Sequence, residues 1–344
     1  MNILYCKDLW WPFGSHLIHI MHRKIYSDMY GYKLLYTQNN HAAYSLYGGR
    51  LSEFFASISD IDNKDIIEFA DKNYFNADHG QHFLLKYTDE EKFVESIPIS
   101  YTEQIDKTAW HTFKPNGYNN IEDYRSNIMK KLGTPSENII KYLEKMTFIQ
   151  EVAKLNGDYI AAHIRWTDKI SGWCTEADFY DVDVYFKYAV ELREKYGTNN
   201  IVLNCDNIDA LTKFINYNIN NYLKFNIIYD KEEHLPANDW KECIFQKGIL
   251  NKGAVKPKEF INDLLNGFKI YKTIFEADSV ICNYFSNMAL APCIARNCSK
   301  DINVSNKIPY AIFPAKHWPR DMFSENVRMK RSEGRKLKDQ QMLK

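Results

Sequence analysis

The feature that most constrains the fold of this chain is a regular alternation of short apolar runs and longer segments with helical periodicity, which begins at Gly157. Short apolar runs bounded by turn residues predict strands, and apolar positions three to four apart predict helices. We predict these strands: Tyr159–Ile164, Asn200–Cys205, Phe225–Tyr229 and Ser279–Cys282. We predict these helices: Val182–Tyr196, Ile208–Ile215, Glu259–Glu276 and Ser286–Asn297. This alternation favours an α/β fold with a parallel, doubly wound sheet.

The first 150 residues begin with a similar order of elements. Strand, turn, helix and strand are predicted in the succession that opens an α/β unit: Asn2–Cys6, Trp10–Ser15, His16–Tyr30 and Tyr32–Thr37. The pattern from Asn39 to Asn116 is mixed. Two helices are predicted after it, at Asn119–Leu132 and Ser136–Leu155.

A chain of 344 residues is too long for one ordinary core, so we expect two domains. We predict two Rossmann-like α/β domains, residues 1–150 and 151–320, with a ligand cleft between them. Residues 321–344 form a basic tail, in which Arg328–Lys344 carries seven Lys or Arg against two Asp or Glu. Such a tail is typical of a solvated chain end, and contact with an anionic partner is the alternative.

The overall charge excludes some classes of partner. Lys plus Arg and Asp plus Glu both number 44, so no net field attracts the protein to nucleic acid or an anionic membrane. We see no signal peptide and no apolar stretch near the roughly 18 residues of a membrane span. The seven scattered cysteines are expected to be reduced thiols, and we predict a cytoplasmic location.

Charged residues follow the predicted strand Tyr159–Ile164 closely. His163, Arg165, Asp168 and Lys169 lie at its carboxyl end, which is where open α/β sheets bind ligands. A guanidinium there suits a phosphate, which it can bind with two parallel hydrogen bonds. The alternative is a structural ion pair between Arg165 and Asp168.

Glu176 follows the same string and is the best candidate for a general base, because a carboxylate beside Lys169 can accept and relay a proton. The alternative is a charge that stabilises the N-terminus of the next helix.

Two further groups follow predicted strands. Asp206 comes after Asn200–Cys205 and is suited either to bind a ribose or acceptor hydroxyl or to cap a helix. Ser286 and Asn287 open a helix, where backbone N–H groups and a hydroxyl form an anion site. Plain capping by Ser286 is the alternative.

We predict no metal site. Asp181-Val182-Asp183 resembles the Asp-x-Asp metal motif of nucleotide-sugar enzymes, but it lies where the helix Val182–Tyr196 begins. Acidic residues at that position are better explained by capping and by the helix dipole.

The segments His163–Lys169 and Thr175–Phe179 resemble the motifs His-Val-Arg-Arg-Thr-Asp-Lys and Thr-Glu-Ala-Ala-Phe of the α1,6-fucosyltransferase family. The segment Glu276–Cys282, with Ser286 and Asn287 after it, is similar to a later motif of that family. Phe13-Gly14-Ser15, with the helix that follows, is similar to its N-terminal Gly-rich loop. The similarity spans roughly residues 10–40 and 155–300.

The resemblance implies a GT-B-like fold and a glycosyltransferase that transfers fucose from GDP-fucose to a glycan hydroxyl. The reaction would be inverting and would require neither a metal nor another cofactor. The N-terminal domain would carry the acceptor side and the Gly-containing donor loop Phe13-Gly14-Ser15, and the second domain would bind the nucleotide sugar.

The resemblance also implies individual roles. Arg165 would hold the β-phosphate of GDP, and His163 would lie near the base, with Asp168 and Asp206 also on the donor. Ser286 and Asn287 would lie at the phosphates, and Glu176, coupled to Lys169, would deprotonate the acceptor.

Three positions depart from the family pattern. Trp166 replaces the second arginine, Asn207 replaces the second residue of an Asp-Asp pair, and Tyr271 aligns with the guanine-binding aspartate. Another nucleotide sugar is therefore an alternative donor, and a catalytically inactive nucleotide- or glycan-binding protein is a further alternative. Retention of both Glu176 and Lys169 argues against the inactive protein, because binding alone needs no base.

Overall fold

The computed structural model describes residues 1–6, 13–36, 59–74, 81–88, 92–100, 113–166, 180–231, 257–284 and 286–305. In its first half, strands and helices follow one another in this order: β1 (Asn2–Cys6), α1 (Phe13–Met29), β2 (Lys33–Tyr36), α2 (Lys64–Tyr74), β3 (Gln81–Thr88), β4 (Lys92–Ser100), α3 (Ile121–Leu132), α4 (Glu137–Leu143) and α5 (Thr147–Ala153).

In the second half the order is: β5 (Ile160–Ile164), α6 (Val182–Tyr196), β6 (Asn200–Cys205), α7 (Ile208–Asn220), β7 (Asn226–Tyr229), α8 (Pro257–Phe275), β8 (Ser279–Cys282), α9 (Asn287–Arg296) and β9 (Ile302–Asn303). The protein is therefore of the α/β class, and its second sheet is parallel, as the alternation predicts.

The first sheet differs from the expected Rossmann-like unit. Its strand order is β2-β1-β3-β4, in which β1 and β2 are parallel while β3 is antiparallel to both β1 and β4. The antiparallel pair falls within the segment whose sequence pattern is mixed. The expectation of two Rossmann-like sheets is therefore wrong for the first sheet.

The second sheet has the order β7-β6-β5-β8-β9, and every neighbouring pair in it is parallel. Its first strand, β5, lies at the centre and is buried along its whole length, as expected for a strand covered on both faces. Strands β6 and β7 follow β5 in the chain and lie on one side of it, and β8 and β9 then lie on its other side. The strand order thus reverses between β5 and β8, where doubly wound folds form a ligand crevice.

Helix α6 begins and ends at residues suited to those positions. Asp181 is its N-cap and accepts a hydrogen bond from the Val182 N–H at 2.6 Å, while Asp183 lies in the first turn. Gly197 ends the helix with φ of 84°, a left-handed conformation that glycine adopts without strain. The capping interpretation of Asp181-Val182-Asp183 is confirmed.

A layer of helices connects the two sheets through two apolar clusters, one on each side of α8 and α9. Leu4 of the first sheet and Leu17 and Met21 of α1 belong to the same buried cluster as Phe268 of α8 and Leu290 of α9. Helices α8 and α9 also cover one face of the second sheet. The domain boundary at residue 150 stays a prediction, and the tail 321–344 lies outside the described residues. Within the described ranges, no helix is long and apolar enough to cross a membrane.

Candidate functional site

The carboxyl end of β5 carries a buried histidine. His163 is 4% exposed and registers with Asn204 on β6 and Cys282 on β8. Side chains at paired positions of parallel strands lie on the same face of the sheet. The three side chains therefore form a short row across the centre of the sheet, next to the point where the strand order reverses.

Two polar atoms in this row have no hydrogen-bond partner in the structure. These are Nδ1 of His163 and Nδ2 of Asn204. The Oδ1 of Asn204 accepts a hydrogen bond from the Thr273 hydroxyl at 3.2 Å. Buried polar groups are almost always paired, so such atoms mark a place that a ligand or water completes. Asn204 is not among the site residues predicted from the sequence, although a polar side chain in a largely apolar strand is a signal that could have found it.

His163 is neutral at physiological pH. Burial, followed by the positive charge of Arg165, lowers its pKa to about 3. A neutral imidazole can accept a hydrogen bond at one nitrogen and donate at the other. His163 is therefore suited to hold a polar group of a ligand and not to provide positive charge.

Arg165 is held by a carboxylate from the neighbouring strand. Its Nε lies 3.7 Å from Oδ2 of Asp206, and the two side chains are 21% and 30% exposed. The same carboxylate accepts a hydrogen bond from the Trp166 N–H at 2.8 Å. Asp206 thus joins the ends of β5 and β6 and pairs with the guanidinium group of Arg165. The helix cap at this position is its neighbour Asn207, whose side chain accepts from two N–H groups of α7.

Trp166 follows the end of β5, and its indole ring contacts residues beside the second sheet. Its indole N–H donates to the Tyr180 carbonyl at 3.1 Å, and Nζ of Lys213 lies 5.8 Å from its ring centre. The Lys213 ammonium also pairs with Asp181 at 2.5 Å. A cation therefore stays close to the position where the resembling family has its second arginine.

Ser286 is the N-cap residue of α9 but does not cap it through its side chain. Its hydroxyl is buried, with the residue 3% exposed, and Oγ has no partner. Helix α9 is ten residues long, and a helix N-terminus favours anions through its unpaired N–H groups and its dipole. The unpartnered hydroxyl supports the anion-site prediction over plain side-chain capping.

The Phe13-Gly14-Ser15 segment forms the first turn of α1, three residues before the predicted helix start. A side chain at Gly14 would place Cβ 2.3 Å from the Asn287 carbonyl oxygen, so only glycine permits this approach of α1 to α9. Phe13 packs edge-on against Phe268, with ring centres 4.8 Å apart. Gly14 therefore borders the start of α9, Phe13 belongs to the core, and the Ser15 side chain is outside the described residues.

Tyr271 is not brought to this site. Its hydroxyl donates to the Met129 carbonyl at 2.8 Å, and its ring occupies the space beside Gly133. Thr273 of the same helix faces Asn204 on β6, and residues two apart on a helix point about 200° apart. Besides its stacking with Phe275 of the same helix, Tyr271 thus contacts the end of α3, on the side of α8 that faces away from the sheet. Burial raises the pKa of its hydroxyl well above the usual value.

Asp168, Lys169 and Glu176 lie outside the described residues, so their predicted roles stay predictions. Among the side chains that the structure describes, no three His, Cys, Asp or Glu residues form a metal-binding group. The absence of a metal from the reaction likewise remains a prediction.

No protein-family model matches the chain, and no curated protein matches it. The solved structures that are similar to it include two of POFUT1 in complex with GDP. The crystal form III structure has a TM-score of 0.31 and 14% identity, and the match covers 51% of this chain and 47% of that one. The high-resolution structure has a TM-score of 0.29 and 10% identity, with 54% and 49% covered. The chain thus spans about half the length of these structures, and a likeness at this level does not define a shared fold.

Proposed function

We propose that this chain is a glycosyltransferase that transfers fucose from GDP-fucose to a hydroxyl of a glycan. The observation that carries the proposal is the arrangement at the reversal of strand order. There Arg165 follows β5, and the unpartnered Ser286 hydroxyl opens α9 after β8. A guanidinium and a helix N-terminus on either side of a crevice suit a diphosphate.

The main catalytic task in such a transfer is to stabilise the departing diphosphate. The acceptor oxygen bonds to C1 of the sugar while the bond from C1 to the phosphate oxygen breaks, and GDP leaves with the electron pair. Negative charge therefore grows on the β-phosphate, and donors already in place stabilise it without reorganisation. Arg165, held at its Nε by Asp206, is suited to this role.

The acceptor proton needs a base on the other side of the sugar. We assign this to Glu176, assisted by Lys169, because a carboxylate beside an ammonium can take up a proton as the new bond forms. Attack from the face opposite the leaving group inverts C1, and the charge of Arg165 makes a metal unnecessary. These assignments, and fucose as the sugar, are supported by the sequence resemblance.

The position of Tyr271 favours a second candidate, the same reaction with a different nucleotide sugar. The family's guanine-binding aspartate is replaced by a tyrosine whose hydroxyl is engaged by Met129. If the base is guanine, another group must recognise its edge. The unpartnered atoms of His163 and Asn204 are candidates for that contact.

Consumption of GDP-fucose in a single turnover, with EDTA and a panel of glycans, tests the proposal. Because Arg165 would stabilise the leaving phosphate, Arg165→Ala should lower the rate by roughly 10²–10³-fold. Lys187→Ala is the matched control, since it removes an exposed cation from α6 and should react at the wild-type rate.

A folded Arg165→Ala enzyme with an undiminished rate would refute the mechanism. Binding of GDP-fucose with no consumption by the wild type would instead favour the inactive binding protein.

A further inference from the structure

A cavity of about 260 Å³ lies between α3, α4 and α8. Its walls come from the end of α3 and the turn after it, from α4, and from the last turns of α8. The lining residues are Lys130, Gly133, Thr134, Pro135, Ile140, Leu143, Glu144, Phe268, Tyr271, Lys272, Phe275 and Glu276.

The interior of the cavity is apolar and largely aromatic. Tyr271 and Phe275 stand nearly parallel, with ring centres 6.0 Å apart and planes at 22°, and Phe268 is 1% exposed. Both hydroxyls of the lining are bonded to backbone carbonyls, because that of Tyr271 donates to Met129 and that of Thr134 donates to Lys130. A ligand inside would meet ring faces and aliphatic carbon, which favour flat apolar groups.

The rim of the cavity carries balanced charge. Its charged lining residues are Lys130, Lys272, Glu144 and Glu276, two positive and two negative side chains. Lys272 and Glu276 form an ion pair one helical turn apart. A balanced rim has no net attraction for an anion or a cation, so a neutral ligand suits the site.

The volume limits the size of the occupant. An apolar protein cavity of about 150 Å³ holds one benzene ring, and sites for drug-sized ligands begin near 300 Å³. At about 260 Å³ this cavity has room for two fused rings. We propose that it binds a neutral, planar, two-ring aromatic molecule.

This site is separate from the one at the ends of β5 and β8. Along α8, Thr273 faces Asn204 at the sheet, while Tyr271 faces Met129 on α3. The cavity therefore lies on the far side of α8 from His163 and Arg165, and its occupancy does not depend on the proposed function.

Indole is the probe, titrated into the full chain by calorimetry. Wild type should bind one indole saturably. Ile140→Trp places a large side chain at the mouth, where Ile140 is 39% exposed, and should weaken binding by at least about tenfold. Tyr142→Trp is the matched control, because Tyr142 is on the same helix, is 59% exposed and does not line the cavity.

A second measurement uses the wild type alone, so its result does not depend on whether the variants fold. Nuclear Overhauser effects should connect indole protons with the methyl groups of Ile140 and Leu143, and GDP should not displace indole. Absence of saturable binding, equal binding by a folded Ile140→Trp protein, or competition with GDP would each overturn the proposal.

Discussion

Among single residues that the structure describes, the candidate site combines the guanidinium of Arg165 with several buried polar atoms that lack a hydrogen-bond partner. Asp206 holds the Nε of Arg165 and the backbone after β5. His163 and Asn204 each keep a buried atom without a partner. Buried polar atoms cost free energy when they are unpaired, which is consistent with the ligand contact proposed for this site.

The titration of His163 gives a prediction for stability against pH. Its pKa in the folded protein is about 3, below its ordinary value of 6.5. Between these values the unfolded chain binds a proton that the folded protein does not, so the free energy of unfolding decreases as the pH falls. His163→Gln should remove up to about 1.4 kcal/mol per pH unit of this dependence. Urea unfolding at several pH values below neutrality measures it, and parallel curves for variant and wild type would contradict the burial of a neutral His163.

Two substitutions of Asp206 separate the effect of its hydrogen bond from the effect of its charge. Asp206→Ala leaves the Trp166 N–H without its acceptor and should lower the free energy of unfolding by about 1–2 kcal/mol. Asp206→Asn retains an acceptor oxygen, and should cost less than about 1 kcal/mol because the pair with Arg165 is partly exposed. Chemical denaturation of both variants provides the comparison, and equal losses would mean that the charge, not the hydrogen bond, is what stabilises the strand ends.

At the scale of elements, α7 and α9 both begin at the carboxyl edge of the second sheet, but their first residues differ. Asn207 caps α7 by accepting hydrogen bonds from the N–H groups of Asp209 and Ala210 at 2.8 and 2.9 Å. Ser286 stands at the same position of α9 with a buried hydroxyl that bonds to nothing. The N-terminus of α7 is therefore capped by a side chain of the protein, whereas the N-terminus of α9 is suited to bind an anion.

This contrast predicts opposite effects of two alanine substitutions. Asn207→Ala should lower the free energy of unfolding by about 1–2 kcal/mol, because it removes a cap. Ser286→Ala should leave stability within about 0.5 kcal/mol of wild type and weaken GDP binding several-fold, because the hydroxyl would serve the ligand. Denaturation and calorimetry on both proteins separate the roles. Lost stability in Ser286→Ala with unchanged GDP affinity would show that Ser286 is a structural residue.

Most helices and strands of the second half could be read from the sequence, although α7 ends at Asn220 and not at the predicted Ile215, and β9 was not predicted. Parts of the first half could not be read in this way. The apolar runs of β5, β6 and β8 lie between clear helical segments, so the spacing of apolar residues is enough to distinguish these strands from the helices. The predicted helix Ser136–Leu155 is in fact two helices, α4 and α5. Its break at Glu144–Met146 contains neither glycine nor proline, so no local signal marks it. The pair β3 and β4 depends on pairing with β1, a non-local contact that periodicity does not report.

The position of the candidate site could be predicted in part, while the roles of its residues stay predictions. A charged string after a buried strand identifies Arg165 and His163, and a serine that opens a helix after β8 identifies Ser286. Tyr271 was placed at the donor by alignment alone, but its orientation depends on the packing of α8 against α3. Asn204 has a local signal, a polar side chain in a largely apolar strand, but its place beside His163 follows from the pairing of β5 with β6, which the sequence does not report.

At the scale of the whole molecule, the two sheets share one apolar layer built from α1, α3, α8 and α9. Gly14 lets α1 approach the start of α9, so the first sheet's helix borders the proposed anion site. This shared core predicts that the two sheets unfold together.

Met21→Ala tests that coupling. Met21 lies fully buried in the shared layer, and its truncation should lower the free energy of unfolding by about 2–5 kcal/mol. Hydrogen exchange should show that amides of β1 and β5 lose protection together. Ile219→Ala, which shortens a side chain that is 60% exposed, is the control and should change neither strand. Loss of protection in β1 alone would indicate two independent cores.

Calorimetric titration of GDP, UDP and CMP, with and without EDTA, into wild type, Arg165→Ala and Lys187→Ala tests most directly whether a nucleotide-sugar site lies between β5 and β8. We predict that GDP binds best, that EDTA has no effect, and that Arg165→Ala alone weakens GDP binding by at least about tenfold. Failure of both diphosphates to bind, or equal GDP binding by wild type and Arg165→Ala, would contradict a nucleotide-sugar site between β5 and β8.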